Sequence, residues 1–379
     1  MIKTRKECVI CNHDSLTDYY SFNNFPIYMG TSKTKDNYKS QDMKWATCDK
    51  CGELQLKSLI KESVLYEKTH NASIGKSWVE HNKEFVNFIN NECYGKVLDI
   101  GGGNLHIANL IASSDKVSEY HIIDSNIFKD NAETNKFVFF EDLFDLSKIE
   151  AKQYDFIIHS HTLEHLYDPI SDLKQLRRIL KPNGRMFFSV PMIDNMLTKG
   201  YTNALNFEHT YYLDKNVVEL MLNISGFNIE RDYFISTDEI KDWCLFASCS
   251  VGNQKEIAIE KNLKGVKYFQ QFLNINNNII SDLNKKLKKY KNAKKFIFGA
   301  HIFTQFLLNF GLKNDFLYVL DNDKNIQEEF LYGENLIVKS PKILSEYENP
   351  IVILKACQYN EEIKQDILKN INNNTIFLE

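Results

Sequence analysis

The stretch Lys96-Val97-Leu98-Asp99-Ile100-Gly101-Gly102-Gly103-Asn104 decides how the chain is read. A short apolar run ends in an acid, and three glycines follow. Leu105-His106-Ile107-Ala108-Asn109-Leu110 then continues at helical spacing. The pattern predicts a buried strand, a tight turn and the start of a helix. Glycine at such a turn lets backbone approach a ligand where a Cβ would intrude. A second apolar strand, Tyr120-His121-Ile122-Ile123, ends in Asp124. An acid there is placed to accept hydrogen bonds from a ribose at the carboxyl edge of a parallel sheet. A dinucleotide fingerprint would need glycine at position 106, where His106 stands. The third glycine of that fingerprint permits close packing beside a pyrophosphate. Its absence favours a nucleoside ligand without a pyrophosphate over NAD or FAD.

At 379 residues the chain is long enough for two or three domains. A composition of 43% hydrophobic and 25% charged residues is that of a globular protein. A net charge of −4 lends no support to a nucleic-acid partner, which would bring a basic excess. No segment approaches the roughly 20 apolar residues that span a bilayer. The start, Met-Ile-Lys-Thr-Arg-Lys-Glu-Cys, lacks the apolar centre of a signal peptide. The expected location is the cytoplasm, where thiols stay reduced.

Four of the eight cysteines form two knuckles, Cys8-x-x-Cys11 and Cys48-x-x-Cys51, the second followed by Gly52. Two such pairs read as four thiolates around one tetrahedral structural zinc. With no open ligand position, the metal would fold residues 1–70 rather than do chemistry. Cys93, Cys244, Cys249 and Cys357 are scattered and read as ordinary core or surface thiols.

Residues 71–253 alternate strand and helix, which predicts a doubly wound α/β domain. A strand at Phe137–Phe140 leads into Glu141-Asp142-Leu143. Asp142 is placed either to meet an adenine amine or to cap a helix. The strand at Tyr154–Ser160 opens into His159-Ser160-His161-Thr162-Leu163-Glu164-His165-Leu166-Tyr167-Asp168-Pro169. Three histidines at a strand's carboxyl end form a candidate site, and the spacing of four predicts that His161 and His165 share a helical face. After a helix at 170–180, Lys181-Pro182-Asn183-Gly184 reads as a stop before a strand at Arg185–Pro191.

Together, Asp99-x-Gly-x-Gly, the acid after the second strand, Glu141-Asp142-Leu143, Leu163-Glu164-His165-Leu166-x-Asp168-Pro169 and Leu180-Lys181-Pro182-x-Gly184 resemble a class I S-adenosylmethionine-dependent methyltransferase over about residues 95–195. The resemblance implies a Rossmann-like core in which Asp99, Gly101, Gly103, Asp124, Asp142 and His161 line the cofactor. Gly101 and Gly103 would approach its methionine part, Asp124 its ribose and Asp142 its adenine. With the cysteine knuckles before it and a small α/β domain after it, the chain is similar to bacterial sugar methyltransferases. The best-known of these methylate carbon on nucleotide-linked keto-deoxysugars. Their Tyr-x-Glu-His run corresponds to Asn206-Phe207-Glu208-His209, so the resemblance makes His209 the base, with Glu208 and His165 beside it. Asn206 replaces the tyrosine, and His70 stands where the family's linker tends to carry another tyrosine. The run Ser160–His165 looks more like O-methyltransferases.

Histidine is suited to taking a proton near neutrality. Methylation at oxygen needs one base beside one hydroxyl. Methylation at carbon also needs a group to stabilise an enolate. No second group is evident in the sequence, so oxygen is slightly favoured over carbon as the acceptor on a nucleotide-linked sugar. The remaining alternative is a zinc-bearing binding protein with a degenerate core, and the oligomeric state is left open. Residues 254–379 read as amphipathic helix followed by a small α/β domain beginning Lys295-Phe296-Ile297-Phe298-Gly299-Ala300-His301, which holds or shapes the substrate site.

Overall fold

Seven strands are hydrogen-bonded into one sheet between residues 95 and 251 of the computed structural model. The structure describes residues 2–36, 38–66, 76–141, 146, 149–236, 241–254, 257–313, 315–356 and 359–379; the side chains of Lys76 and Ser77 fall outside that description. Asp142, His70 and Cys357 lie outside the described residues.

Helix α1 (Lys76–Ile89) leads into β1 (Gly95–Ile100), α2 (His106–Ala112), β2 (Val117–Asp124), β3 (Phe137–Glu141) and β4 (Tyr154–Ser160). Then follow α3 (Pro169–Ile179), β5 (Leu180–Pro191), α4 (Lys215–Ser225), β6 (Phe227–Ile235) and β7 (Cys244–Val251). The strand order is β6-β7-β5-β4-β1-β2-β3. The five strands from β5 to β3 are parallel, whereas β7 runs antiparallel to both β5 and β6. The order reverses between β1 and β4, and such a switch point opens a crevice at the strands' carboxyl ends. Register puts His159 beside Ile100 and Ile100 beside Ile123, so β4, β1 and β2 finish level with one another.

Local chemistry sets the boundaries. Asp168 caps α3 through the Ser171 amide, with Pro169 at the first helical position. Asp214 caps α4 through the Val217 amide, and Gly226 at φ +81° ends it. The proposed stop at Lys181–Gly184 is instead part of β5. Leu180 pairs with Tyr154 and Arg185 with Phe156, so the intervening residues form an irregularity inside a continuous strand. Phe85 and Ile89 of α1 pack with Val97, Ile122, Ile158, Phe187 and Phe246 of the sheet in one apolar core.

The chain divides into two compact units. The first comprises residues 1–19, 45–196 and 207–266 and contains this sheet. It also contains the cysteine knuckles, beside which Ile2–Thr4 pairs with Ser58–Ile60 and Trp45–Thr47 with Leu54–Leu56. The second comprises residues 20–44, 197–206 and 267–379. Its parallel five-stranded sheet has the order Val338–Lys339, Tyr318–Leu320, Lys295–Phe298, Ile351–Leu354, Ile376–Leu378. The amphipathic helix expected at the start of residues 254–379 spans Lys264–Leu287, followed by a 3₁₀ turn at Lys288–Tyr290, and its Ile280, Leu283 and Leu287 join the second unit's core.

Candidate active site

The glycine turn after β1 is shaped as a cradle. Gly101 has φ +76°, and a Cβ there would lie 2.6 Å from Thr162 Oγ1. At Gly103 a Cβ would lie 2.2 Å from the Asn126 carbonyl oxygen and 2.7 Å from Asp124 Oδ2. No side chain fits either position without displacing its neighbours. Asp124 Oδ2 accepts from the Gly103 amide at 3.0 Å, and Oδ1 from the Asn126 amide at 2.9 Å. The carboxylate is therefore locked to the turn, and the Ser125 side chain and backbone add further hydrogen bonds to it. Burial raises its pKa, while these backbone hydrogen bonds pull it down.

Asp99 sits differently from Asp124. It is 3% exposed, accepts from the Tyr120 hydroxyl at 2.9 Å, and would meet a Cβ on Gly102 at 2.4 Å. Burial lifts its carboxyl to about 7; the Tyr120 hydrogen bond opposes the shift and the field of Asp124 adds to it. It shapes the turn from below.

The loop after β4 does not place His161 and His165 on a common helical face. His161 has φ +51°, and only Leu163–His165 form a turn of 3₁₀ helix. The two rings enter separate clusters joined by Glu164, whose Oε1 lies 3.4 Å from His161 Nδ1 and 3.8 Å from His165 Nε2. In one cluster, Glu164, His165 and His209 each bring a ligand-capable atom within 4.8 Å of the others. The His165 and His209 rings are 5.4 Å apart, and Glu208 Oε2 is 3.8 Å from His165 Nδ1. Burial alone would raise the Glu164 carboxyl. The hydrogen bond from His161 and the fields of His165, His161 and His209 outweigh it and hold the group at about 2. A buried carboxylate thus stays ionised beneath two histidines.

Tyr66, which was not among the residues expected from sequence, completes this cluster. Its hydroxyl is 3.1 Å from His165 Nδ1, its ring stacks on that imidazole, and Asn126 Nδ2 donates to its carbonyl at 3.3 Å. Burial, reinforced by the field of Glu208, pushes the phenol well above its ordinary pKa, so the group is a proton donor. Its one signal in the sequence is an aromatic residue at the end of the knuckle segment, four positions before His70.

The backbone after His209 is stitched to the cysteine hairpin. Leu56 N donates to Thr210 O and Tyr212 N to Leu54 O, each at 2.8 Å. Arg5 Nη1 reaches Thr210 O at 3.3 Å, and Thr210 N donates to Glu164 O at 3.1 Å. The hairpin holds the four cysteines together: Cys8 and Cys51 sulfurs are 3.5 Å apart, as are those of Cys11 and Cys48. All four sulfurs lie within 4.8 Å of one another, and none is in a disulfide. The Ile10 and Cys51 amides each point at a cysteine sulfur at 3.5 Å. Backbone amides aimed at clustered sulfurs favour thiolates, so the set fits a tetrahedral zinc.

This fold is that of the class I S-adenosylmethionine-dependent methyltransferases, and the comparisons agree. Residues 76–231 match the model of a methyltransferase domain, and residues 247–378 that of a C-methyltransferase C-terminal domain. The chain is thus a methyltransferase of the S-adenosylmethionine-dependent class with a C-methyltransferase C-terminal domain. No curated protein matches it. Similar solved structures include an S-adenosylmethionine-dependent methyltransferase from Mesorhizobium loti, with 15% identity over 48% of this chain and 100% of that one, at a TM-score of 0.37. Others are the PH0226 protein from Pyrococcus horikoshii OT3 (16% identity, 47% and 93% coverage, TM-score 0.39) and the N-methyltransferase NodS from Bradyrhizobium japonicum WM9 (11%, 46% and 96%, 0.37). Among the described residues no helix is long and apolar enough to cross a membrane.

Proposed function

We propose that the protein transfers a methyl group to carbon on a nucleotide-linked keto-sugar, with His209 as base and zinc held by Cys8, Cys11, Cys48 and Cys51. When bound, S-adenosylmethionine supplies a methyl group already activated on a sulfonium. Gly101 and Gly103, packed against Thr162, Asn126 and Asp124, bring bare backbone up to it, and Asp124 accepts from its ribose hydroxyls. His209 takes the proton from the carbon beside the sugar's carbonyl. The buried negative charge of Glu164 stabilises the imidazolium that results. The Tyr66 hydroxyl, in contact with His165, donates to the carbonyl oxygen as charge develops there. Glu208, 3.8 Å from His165, accepts from sugar hydroxyls or orients that ring.

One observation carries carbon over oxygen. The absence of a second group favoured oxygen in the sequence, and Tyr66 at 3.1 Å from His165 supplies such a group. The C-methyltransferase match over residues 247–378 supports the same reading. The sugar and its nucleotide link rest on the resemblance in Glu208-His209 and on the cysteine knuckles. Incubating the protein with isotopically labelled methyl donor and a panel of nucleotide-linked keto-sugars, then locating the new methyl by NMR, tests it. A carbon-bound methyl is expected. A methyl on oxygen would overturn the carbon reading, and no product together with no binding of S-adenosylhomocysteine would favour a degenerate core.

A further inference from the structure

His81, His161 and Cys244 come from three elements: the middle of α1, the loop after β4 and the first residue of β7. Their ligand-capable atoms converge. The two Nε2 atoms are 3.2 Å apart, and Cys244 Sγ is 3.6 Å from each. With bonds of about 2.05 Å to nitrogen and about 2.3 Å to sulfur, a tetrahedral zinc would set its nitrogens about 3.4 Å apart and nitrogen from sulfur by about 3.6 Å. The triangle in this protein matches both nitrogen–sulfur edges at 3.6 Å, and its nitrogen–nitrogen edge of 3.2 Å is slightly shorter.

The outer nitrogens of both rings are also engaged. His81 Nδ1 lies 3.1 Å from Asn82 Oδ1, and His161 Nδ1 lies 3.4 Å from Glu164 Oε1. When Nδ1–H donates to these oxygens, both Nε2 atoms turn bare lone pairs toward each other. Two lone pairs at this distance repel, and a shared cation removes the repulsion. Metal-bound histidines characteristically give their other nitrogen to such an oxygen. The surroundings are largely buried and aromatic: His81 is 2% exposed, Cys244 is fully buried, the His161 side chain is 15% exposed, and the Trp78, Trp243 and Phe246 ring centroids lie within 6 Å of the imidazoles.

We propose that His81, His161 and Cys244 form a second metal site, for a zinc-class ion, distinct from the four-cysteine cluster. Both imidazoles bind neutral through Nε2, and the Cys244 thiol gives its proton to solvent and binds as thiolate. Three protein ligands leave one coordination position for water or a substrate oxygen. Glu164 Oε1, shared between His161 and His165, links this centre to the candidate active site through one carboxylate.

The test uses the full chain, loaded with excess zinc, desalted and assayed for metal per chain by mass spectrometry. The wild type is expected to hold one more zinc than either His81→Ala or Cys244→Ser. Equal loading of wild type and variants overturns the proposal. X-ray absorption at the zinc edge of the loaded wild type needs no variant to fold. Imidazole nitrogen alongside sulfur is expected, and a shell of sulfur alone overturns the site.

Discussion

The two α/β units share a latch but differ in what it encloses. In the first, Asp124 accepts from the Gly103 amide with one oxygen and from the Asn126 amide with the other. In the second, Asp321 accepts from the Ala300 amide at 2.9 Å and from the Asp323 amide at 3.0 Å. Acid and turn are 21 residues apart in both. Burial raises both acids and backbone hydrogen bonds oppose it in both. Yet Ala300 stands where the first unit has Gly103. A Cβ on the preceding Gly299 would meet nothing nearer than Phe303 Cδ2 at 4.0 Å. Four residues before the latch amide, the first unit buries Asp99 and the second buries Phe296. The latch therefore belongs to the strand–turn–helix fold, and the crowding around its glycines is what sets the first unit apart. An acid at a strand's end is not by itself evidence of a ligand.

Gly103→Ala should produce the largest difference between the units. Its Cβ would collide with backbone at a strain of up to about 3 kcal/mol; where the turn shifts to relieve that strain, binding that needs the original turn loses up to roughly 100-fold in affinity. Calorimetry with S-adenosylhomocysteine should show that loss; unchanged affinity would mean that the cradle is not the cofactor site. The paired acids sharpen the contrast. Asp124→Ala should lower that affinity at least about tenfold, since a lost hydrogen bond to a charged group is worth about 1.5–3 kcal/mol. Asp321→Ala should leave affinity unchanged and appear only as a lower denaturation midpoint.

A smaller effect distinguishes Asp99 from Phe296. The folded state holds the Asp99 proton up to about 7, against an ordinary value of 3.8. Its contribution to stability is complete below about pH 4 and is lost as the pH rises toward 7. Asp99→Asn, which keeps an acceptor for Tyr120, should therefore raise Tm over the wild type at pH 8. The gain should vanish near pH 4, and an equal gain at both would refute the buried-charge account. The smallest effect is expected from Gly299→Ala. Its φ of +102° makes alanine strained, at about 1–2 kcal/mol, and thermal unfolding should register it without any change in cofactor affinity.

Much of the first unit was legible because its cues are local. Strand, glycine turn, helix and Asp124 follow one another at fixed spacing, and two C-x-x-C pairs announce the cysteine cluster. What the sequence concealed depends on long closures. Tyr66 meets His165 across 99 residues, and His81 meets His161 across 80. Cys244 read as an ordinary thiol because nothing near it in sequence suggests a partner. The helical pairing of His161 with His165 failed because periodicity assumes regular backbone, and His161 takes the left-handed region. Asp99 read as a ligand for the same reason that Asp124 did, its place at a strand's end. Burial, which the sequence does not show, separates the two.

The most direct measurement is solvent exchange without the methyl donor. A nucleotide-linked keto-sugar incubated with the protein in deuterium oxide should gain deuterium beside its carbonyl. His209→Ala should slow that exchange about 100-fold or more, the usual range for a general base. Methylation that proceeds in the wild type with no exchange, or exchange undiminished in His209→Ala, would contradict proton removal from carbon by this histidine.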